Sequence, residues 1–253
     1  MTLPRDFLDT PIAHRGLHNA ERGIVENSRA AFQAAIDAGH GIELDVQFSR
    51  DAIPMVFHDY ELHRLTACSG PVRERSWTEL ADIGLRNSYD RIERLDTILE
   101  WIGPRAPVLI EIKDQSGLPR ADLDAIDQVT GQIMKNAAEK HGTRCAVMSF
   151  NPQYIANLSW LPEHLARGLT TTEAADYPDT LPQAVRDGLA RMSAFGPGMS
   201  FVSHNCNHLD NPRLAELKQA GAAILCWTVR SAAQERIARK VADNITFEGY
   251  LPT

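Results

Sequence analysis

Apolar runs rich in β-branched residues alternate with amphipathic stretches almost to the end of the chain, the pattern of successive βα units laid on a parallel sheet. Strands are predicted at 12–16, 41–48, 53–58, 107–112, 145–150, 166–171, 200–204, 223–229 and 244–248, with helices at roughly 28–38, 95–102, 122–140, 152–160, 180–193, 212–220 and 231–241. Boundary residues support several of these helices. Ser28 is placed to cap the first and Gly39 to end it, and Asn211-Pro212 puts a capping side chain before a proline at the first helical position, with Gly221 as the stop.

Nine strand candidates compete for the eight places of a (β/α)8 barrel, and the closely spaced runs 41–48 and 53–58 contain the surplus. The gap of about four residues is too short for a crossover helix and suits a hairpin at Arg50-Asp51-Ala52, which would set Asp45 roughly opposite His58. If the two runs are instead neighbouring barrel strands, Glu43, Asp45 and His58 still converge. Residues 60–94 are rich in charge and turn formers, lack a convincing strand, and are expected to be an insertion that shapes the substrate pocket.

A chain of 253 residues with 43% hydrophobic content can bury a large core, and one domain over 1–253 is expected. The net charge of −7, with both signs mixed throughout, gives no long-range attraction for nucleic acid or anionic lipid and favours a small-molecule partner. Cys68, Cys145, Cys206 and Cys226 form no C-x-x-C pair and are expected as reduced thiols. With no leader-like amino terminus and no apolar run approaching the roughly 18 residues of a membrane span, the expectation is a cytoplasmic protein without stable membrane insertion. Oligomeric state has no signal in the chain.

The chemistry gathers at predicted strand ends. His14 and His58 follow apolar runs, Glu43 and Asp45 share one face of a strand between them, and Val108-Leu109-Ile110-Glu111-Ile112-Lys113 ends in a carboxylate and an ammonium two residues apart. Burying such charges in apolar strands is costly unless they are paired, solvated or bound to a metal. At the carboxyl ends of barrel strands these six groups would share one mouth, a layout suited to metal-assisted phosphoryl or acyl transfer. His204-Asn205-Cys206-Asn207-His208 offers a second metal reading, but a polar loop with a buried thiol accounts for it.

His14-Arg15-Gly16, Glu26-Asn27-Ser28, Glu43-Leu44-Asp45, His58-Asp59 and Glu111-Ile112-Lys113, in this order, resemble the motif set of the glycerophosphodiester phosphodiesterase family. The likeness covers most of the chain and extends to Ser149-Phe150 and Trp227-Thr228-Val229. It implies a TIM-type barrel with an insertion after the His58-Asp59 strand, and hydrolysis of glycerophosphodiesters to glycerol 3-phosphate and an alcohol. It further implies Glu43, Asp45 and Glu111 as ligands of one divalent cation, Mg²⁺ or Ca²⁺. His14 and His58 would form the proton-transfer pair, Arg15 and Lys113 would meet phosphate oxygens, and Trp227 would line the pocket. An all-carboxylate ligand set suits a hard ion, and two imidazoles near their ordinary pKa can serve as acid and base at neutral pH.

Three departures from the family pattern stand out: Val25-Glu26-Asn27-Ser28 for the usual Pro-Glu-Asn-Thr, Asp51-Ala52 for Asp-Gly, and Phe247-Glu248 near the mouth for Thr-Asp. The last bears on substrate preference. Individual roles have alternatives: Arg15 could pair structurally with Glu26 or Asp59, and Asn27 could cap a helix as readily as touch substrate. Rival functions are a phospholipase D-like or cyclising phosphodiesterase on lysophospholipid or sphingolipid headgroups, a Schiff-base barrel using Lys113, and a non-catalytic phosphodiester-binding barrel.

Overall fold

The structure is a computed structural model that describes residues 2–114 and 126–252. Ten strands are present among the described residues: β1 (Ile12–Ala13), β2 (Gly41–Phe48), β3 (Pro54–Val56), β4 (Glu93–Arg94), β5 (Pro107–Ile112), β6 (Arg144–Ser149), β7 (Ala166–Thr171), β8 (Phe201–Asn205), β9 (Ala223–Val229) and β10 (Asn244–Phe247). Eight of them, all but β3 and β4, pair in parallel, and β1 bonds to both β2 and β10, so the sheet closes into a TIM-type barrel.

The surplus strand is β3. It runs antiparallel to the end of β2, with Val46 opposite Val56 and Phe57 N–H donating to the Asp45 carbonyl at 3.0 Å, so the hairpin alternative is the one realised. The positive φ of Ala52, 60°, is the bend that this turn imposes where a glycine would be relaxed. Short β4 pairs antiparallel with β3 and went unforeseen, because two residues leave no alternation to read.

Nine helices accompany the strands among the described residues: α1 (Asp6–Asp9), α2 (Arg29–Asp37), α3 (Trp77–Ala81), α4 (Leu95–Ile102), α5 (Ile126–His141), α6 (Pro152–Asn157), α7 (Gln183–Ala190), α8 (Pro212–Gln219) and α9 (Ala232–Ala238). The predicted start of α5 at 122–125 lies outside the described residues. Expected caps are present: Ser28 accepts from Ala31 N–H at 3.2 Å, and Asn211 accepts from Arg213 N–H at 3.0 Å with Pro212 at the first turn. Between barrel and helices lies the largest apolar core, including Leu44, Val108, Ile110, Val147, Val202 and Ile224.

Inside the barrel, the lower part is filled by Ile12, Leu109, Met148, Phe201 and Leu225 together with Phe7 of α1. Gly168 is required there, since a Cβ would lie 2.4 Å from the Phe201 carbonyl. α1 is tied beneath the barrel by Asn244, whose amide donates to the carbonyls of Phe7 and Thr10. Apolar filling below leaves the upper end for polar groups. Residues 57–92 form a separate small cluster around Phe57, Leu62, Val72, Leu80 and Ile92, with α3 held by a capping box between Ser76 and Glu79. No helix among the described residues is long and apolar enough to cross a membrane.

Candidate active site

Parallel register sets Asp45 of β2 beside Glu111 of β5, and Glu43 lies one inward-facing step earlier on β2. One oxygen from each of Glu43, Asp45 and Glu111 falls within 4.8 Å of the others, and all three residues are buried, at 1%, 1% and 6% exposure. It is the only cluster of three or more His, Cys, Asp or Glu with metal-binding spacing among the described residues. Only two cations face the three carboxylates: Lys113 Nζ lies 2.9 Å from Asp45 and also bonds Glu111, and Arg15 Nε lies 3.5 Å from Asp45.

That shortfall of positive charge appears in the acidities. Burial, with the neighbouring Asp45 and Glu111 charges, pushes the Glu43 carboxyl well above its ordinary range. Burial pushes Glu111 up as well, against the pull of Lys113. For Asp45 the burial penalty is outweighed by Lys113, His58, Arg15 and His14, and its carboxyl is held far below the usual value. A crowded set of buried oxygens short of one positive charge fits a hard divalent cation. Lys113 is held protonated by the same carboxylates, which works against its use as a Schiff-base amine.

Backbone geometry fixes the neighbouring residues. Arg15 has φ 56° and Gly16 φ 78°, a turn that brings Arg15 N–H to Glu43 at 2.9 Å, and a Cβ on Gly16 would lie 2.8 Å from Ala31. The Arg15 guanidinium donates to Glu26 at 2.7 Å, so the structural pairing considered from the sequence is present. Asn27 is not the helix cap. Ser28 is the helix cap, while the Asn27 amide donates to the Asp45 carboxylate at 2.8 Å and accepts from Asp45 N–H at 3.2 Å.

Each candidate imidazole has a carboxylate on Nδ1. His58 meets Asp59 at 2.7 Å, and His14 meets Glu248 in a shorter contact. Pairing Nδ1 leaves Nε2 as the nitrogen available for proton transfer. Burial lowers both histidines from their ordinary pKa, and the carboxylate partners offset part of that effect. The hydrogen bond with His14, together with His18 Nε2 at 3.9 Å, in turn holds Glu248 far below the usual range. Asp59, at about 2, is lowered by Arg64 and His58 against its burial. Arg64 also donates to Glu26 at 2.7 and 2.8 Å, so one guanidinium joins the partner of His58 to the partner of Arg15.

A cavity of about 530 Å³ opens over this cluster and is lined by His58, Glu111, Lys113 and Trp227 among others, whereas His14, Arg15, Glu43 and Asp45 are not on its wall. Of the groups outside the assigned set, Asp59 is beside His58 in the chain, where it could orient that neighbour or donate a ligand, and its contact is with His58 Nδ1. Glu248 was marked only as a departure from the family pattern. Arg64 carried no signal beyond its charge.

The chain matches the glycerophosphoryl diester phosphodiesterase family over residues 14–244. It is 29% identical over 244 residues to a glycerophosphodiester phosphodiesterase of Caldanaerobacter subterraneus subsp. tengcongensis, covering 92% of this chain and 91% of that one. It is 28% identical over 210 residues to glycerophosphodiester phosphodiesterase 1 of Rattus norvegicus, covering 79% of this chain and 58% of the relative. Among solved structures, the fold is similar to an Oleispira antarctica phosphodiesterase in complex with its product sn-glycerol-3-phosphate (TM-score 0.72, 21% identity, 96% and 94% of the two chains). It is also similar to a glycerophosphodiester phosphodiesterase of Agrobacterium tumefaciens (TM-score 0.64, 24% identity, 98% and 96%).

Proposed function

Because the chain belongs to the glycerophosphoryl diester phosphodiesterase family and is a hydrolase of that class, we propose that it cleaves glycerophosphodiesters to glycerol 3-phosphate and an alcohol with one divalent cation and the pair His14 and His58. The buried carboxylate cluster carries this reading. Glu43, Asp45 and Glu111 would hold the ion, Mg²⁺ or Ca²⁺, which when bound supplies positive charge to the phosphate oxygens.

The chain's own groups do the rest. Arg15 and Lys113 offset charge on the equatorial oxygens, Lys113 turning from Asp45 and Glu111 to phosphate where those carboxylates are otherwise balanced. One imidazole takes the proton of the attacking oxygen through Nε2 and the other returns a proton to the leaving alkoxide, with Glu248 and Asp59 holding the rings and stabilising their protonated forms. Trp227, its indole N–H tied to the Ser203 carbonyl at 3.0 Å, presents a fixed apolar surface to the substrate.

Phosphorus NMR of glycerophosphocholine with Mg²⁺ or Ca²⁺ tests the proposal. The diester signal should give way to glycerol 3-phosphate, and excess EDTA should abolish the change. Turnover that persists at full rate in EDTA would refute the ion's role, a cyclic phosphate would identify the neighbouring hydroxyl as nucleophile, and binding without turnover would leave a non-catalytic barrel.

A further inference from the structure

β2 carries a third polar residue on the face that presents Glu43 and Asp45. Alternation along the strand sends Leu44 and Val46 into the core between barrel and helices, and it sets Gln47 on the same face as the two carboxylates, fully buried. A buried amide has two donors and an acceptor to place. Both donors of Gln47 go to one stretch of backbone: Nε2 meets the His58 carbonyl at 2.6 Å and also the carbonyl of Asp59. Its Oε1 has no hydrogen-bond partner among the described residues. The setting of the amide is fixed all the same, since the reverse one would aim Oε1 at two carbonyl oxygens.

The clamp falls where the sheet stops holding the chain. Pairing between β2 and β3 runs from Phe48 opposite Pro54 to Val46 opposite Val56, and it ends with Phe57 N–H on the Asp45 carbonyl at 3.0 Å. His58 and Asp59 come next, outside any strand, and Gln47 takes their two successive carbonyls. The Nδ1 contact with Asp59 orients the His58 ring, and Arg64 holds Asp59 from the inserted segment, but both act through side chains. Gln47 ties the backbone of His58 itself to the strand of Glu43 and Asp45. A methionine of similar size would fill the same space without burying an open acceptor, so the position is explained by its two donors and not by packing.

Resting on the phosphodiesterase reading above, we propose that Gln47 is a positioning residue of the reaction, which sets the place of the His58 ring relative to a phosphate held at the carboxylates and acts on turnover through His58. A proton-transfer group displaced by about 1 Å can lose on the order of 10²-fold in rate, whereas the carboxylates that would hold the cation keep their own strand positions.

The test is a pair of variants, Gln47→Met, which removes both donors at similar size, and Gln47→Asn, whose amide is one methylene short. Gln47→Met should lower kcat roughly 10- to 100-fold with KM little changed, and Gln47→Asn should show the same pattern more weakly. Calorimetric affinity for Mg²⁺ and Ca²⁺ should stay within about twofold of the parent, and in a His58→Ala background Gln47→Met should cost no more than about a further twofold. A parallel loss of cation affinity would overturn the proposal by showing that β2 as a whole is disturbed. So would a full further loss in the His58→Ala background, since Gln47 would then act on something other than His58. If the parent protein turns over no diester, the phosphodiesterase reading fails by itself, and nitrogen-15 NMR of histidine-labelled protein decides on Gln47. The His58 ring signals, identified by their loss in His58→Ala, should move or broaden in Gln47→Met while those of His14 stay, and unchanged His58 signals would overturn the positioning role.

Discussion

His14 and Glu248 stand at the ends of neighbouring barrel strands, β1 and β10, whereas His58 and Asp59 follow β3, outside the ring. In the first pair the closed sheet sets the position, and His14 N–H donates to the Phe247 carbonyl at 2.9 Å one residue before Glu248. In the second, side chains do the holding. Arg64 clamps Asp59 at 2.5 and 2.8 Å, and the Gln47 amide donates to the His58 carbonyl at 2.6 Å and also to that of Asp59. Two similar His–carboxylate pairs thus reach the same mouth by unlike means, one through backbone pairing and one through a network anchored in the inserted segment. The second should be the more sensitive to substitutions away from the reacting groups.

The largest effects are expected at the rings themselves. Replacing either His14 or His58 with Ala should lower kcat by roughly 10²- to 10⁴-fold, as loss of a general acid or base does. Release of glycerol 3-phosphate by each purified variant measures this. Full loss in one variant and near-normal turnover in the other would break the equivalence of the two pairs and leave a single catalytic imidazole.

A smaller effect separates their supports. Arg64→Ala should lower kcat/KM by about tenfold, since it frees both Asp59 and Glu26, while Arg230→Ala, which meets Glu248 at 2.8 Å on the other side, should cost no more than about threefold. Arg64→Lys should not restore activity, because an ammonium cannot span two carboxylates as a planar guanidinium does. Comparable losses at Arg64 and Arg230 would show that the outer pair is no more dependent on its network than the barrel pair.

The same contrast explains what the sequence made legible. Barrel strands are near-continuous apolar runs, and the acidic or basic residue interrupting each run marks the mouth, so Glu43, Asp45, Glu111 and Lys113 were readable from local pattern. The His58–Asp59 pair was readable because the two are adjacent in the chain. Glu248 lies 234 residues from His14, and only closure of the barrel brings them together, which leaves no trace in periodicity. The cap reading of Asn27 failed for a related reason: its position just before a helix suggests a cap, whereas the positive φ of 55° that turns its amide onto Asp45 is a tertiary feature. α1 and β4 are too short to display a period.

The finest comparison concerns which imidazole starts neutral and which starts protonated. A carboxylate at Nδ1 favours the imidazolium, so removing its charge must lower the pKa of the ring further below the ordinary value. Glu248→Gln should therefore shift the His14 limb of the kcat/KM profile to lower pH by about one unit, and Asp59→Asn should shift the His58 limb in the same direction. The consequence differs with the role. For the ring that must be neutral, the acidic limb retreats and activity extends to lower pH. For the ring that must be protonated, the alkaline limb retreats and activity at neutral pH falls. One variant should move each limb, and the pair of profiles then assigns base and acid. Movement of the same limb by both variants would mean that the two histidines share one role, and the proposed division of proton transfer between the barrel pair and the outer pair would fall.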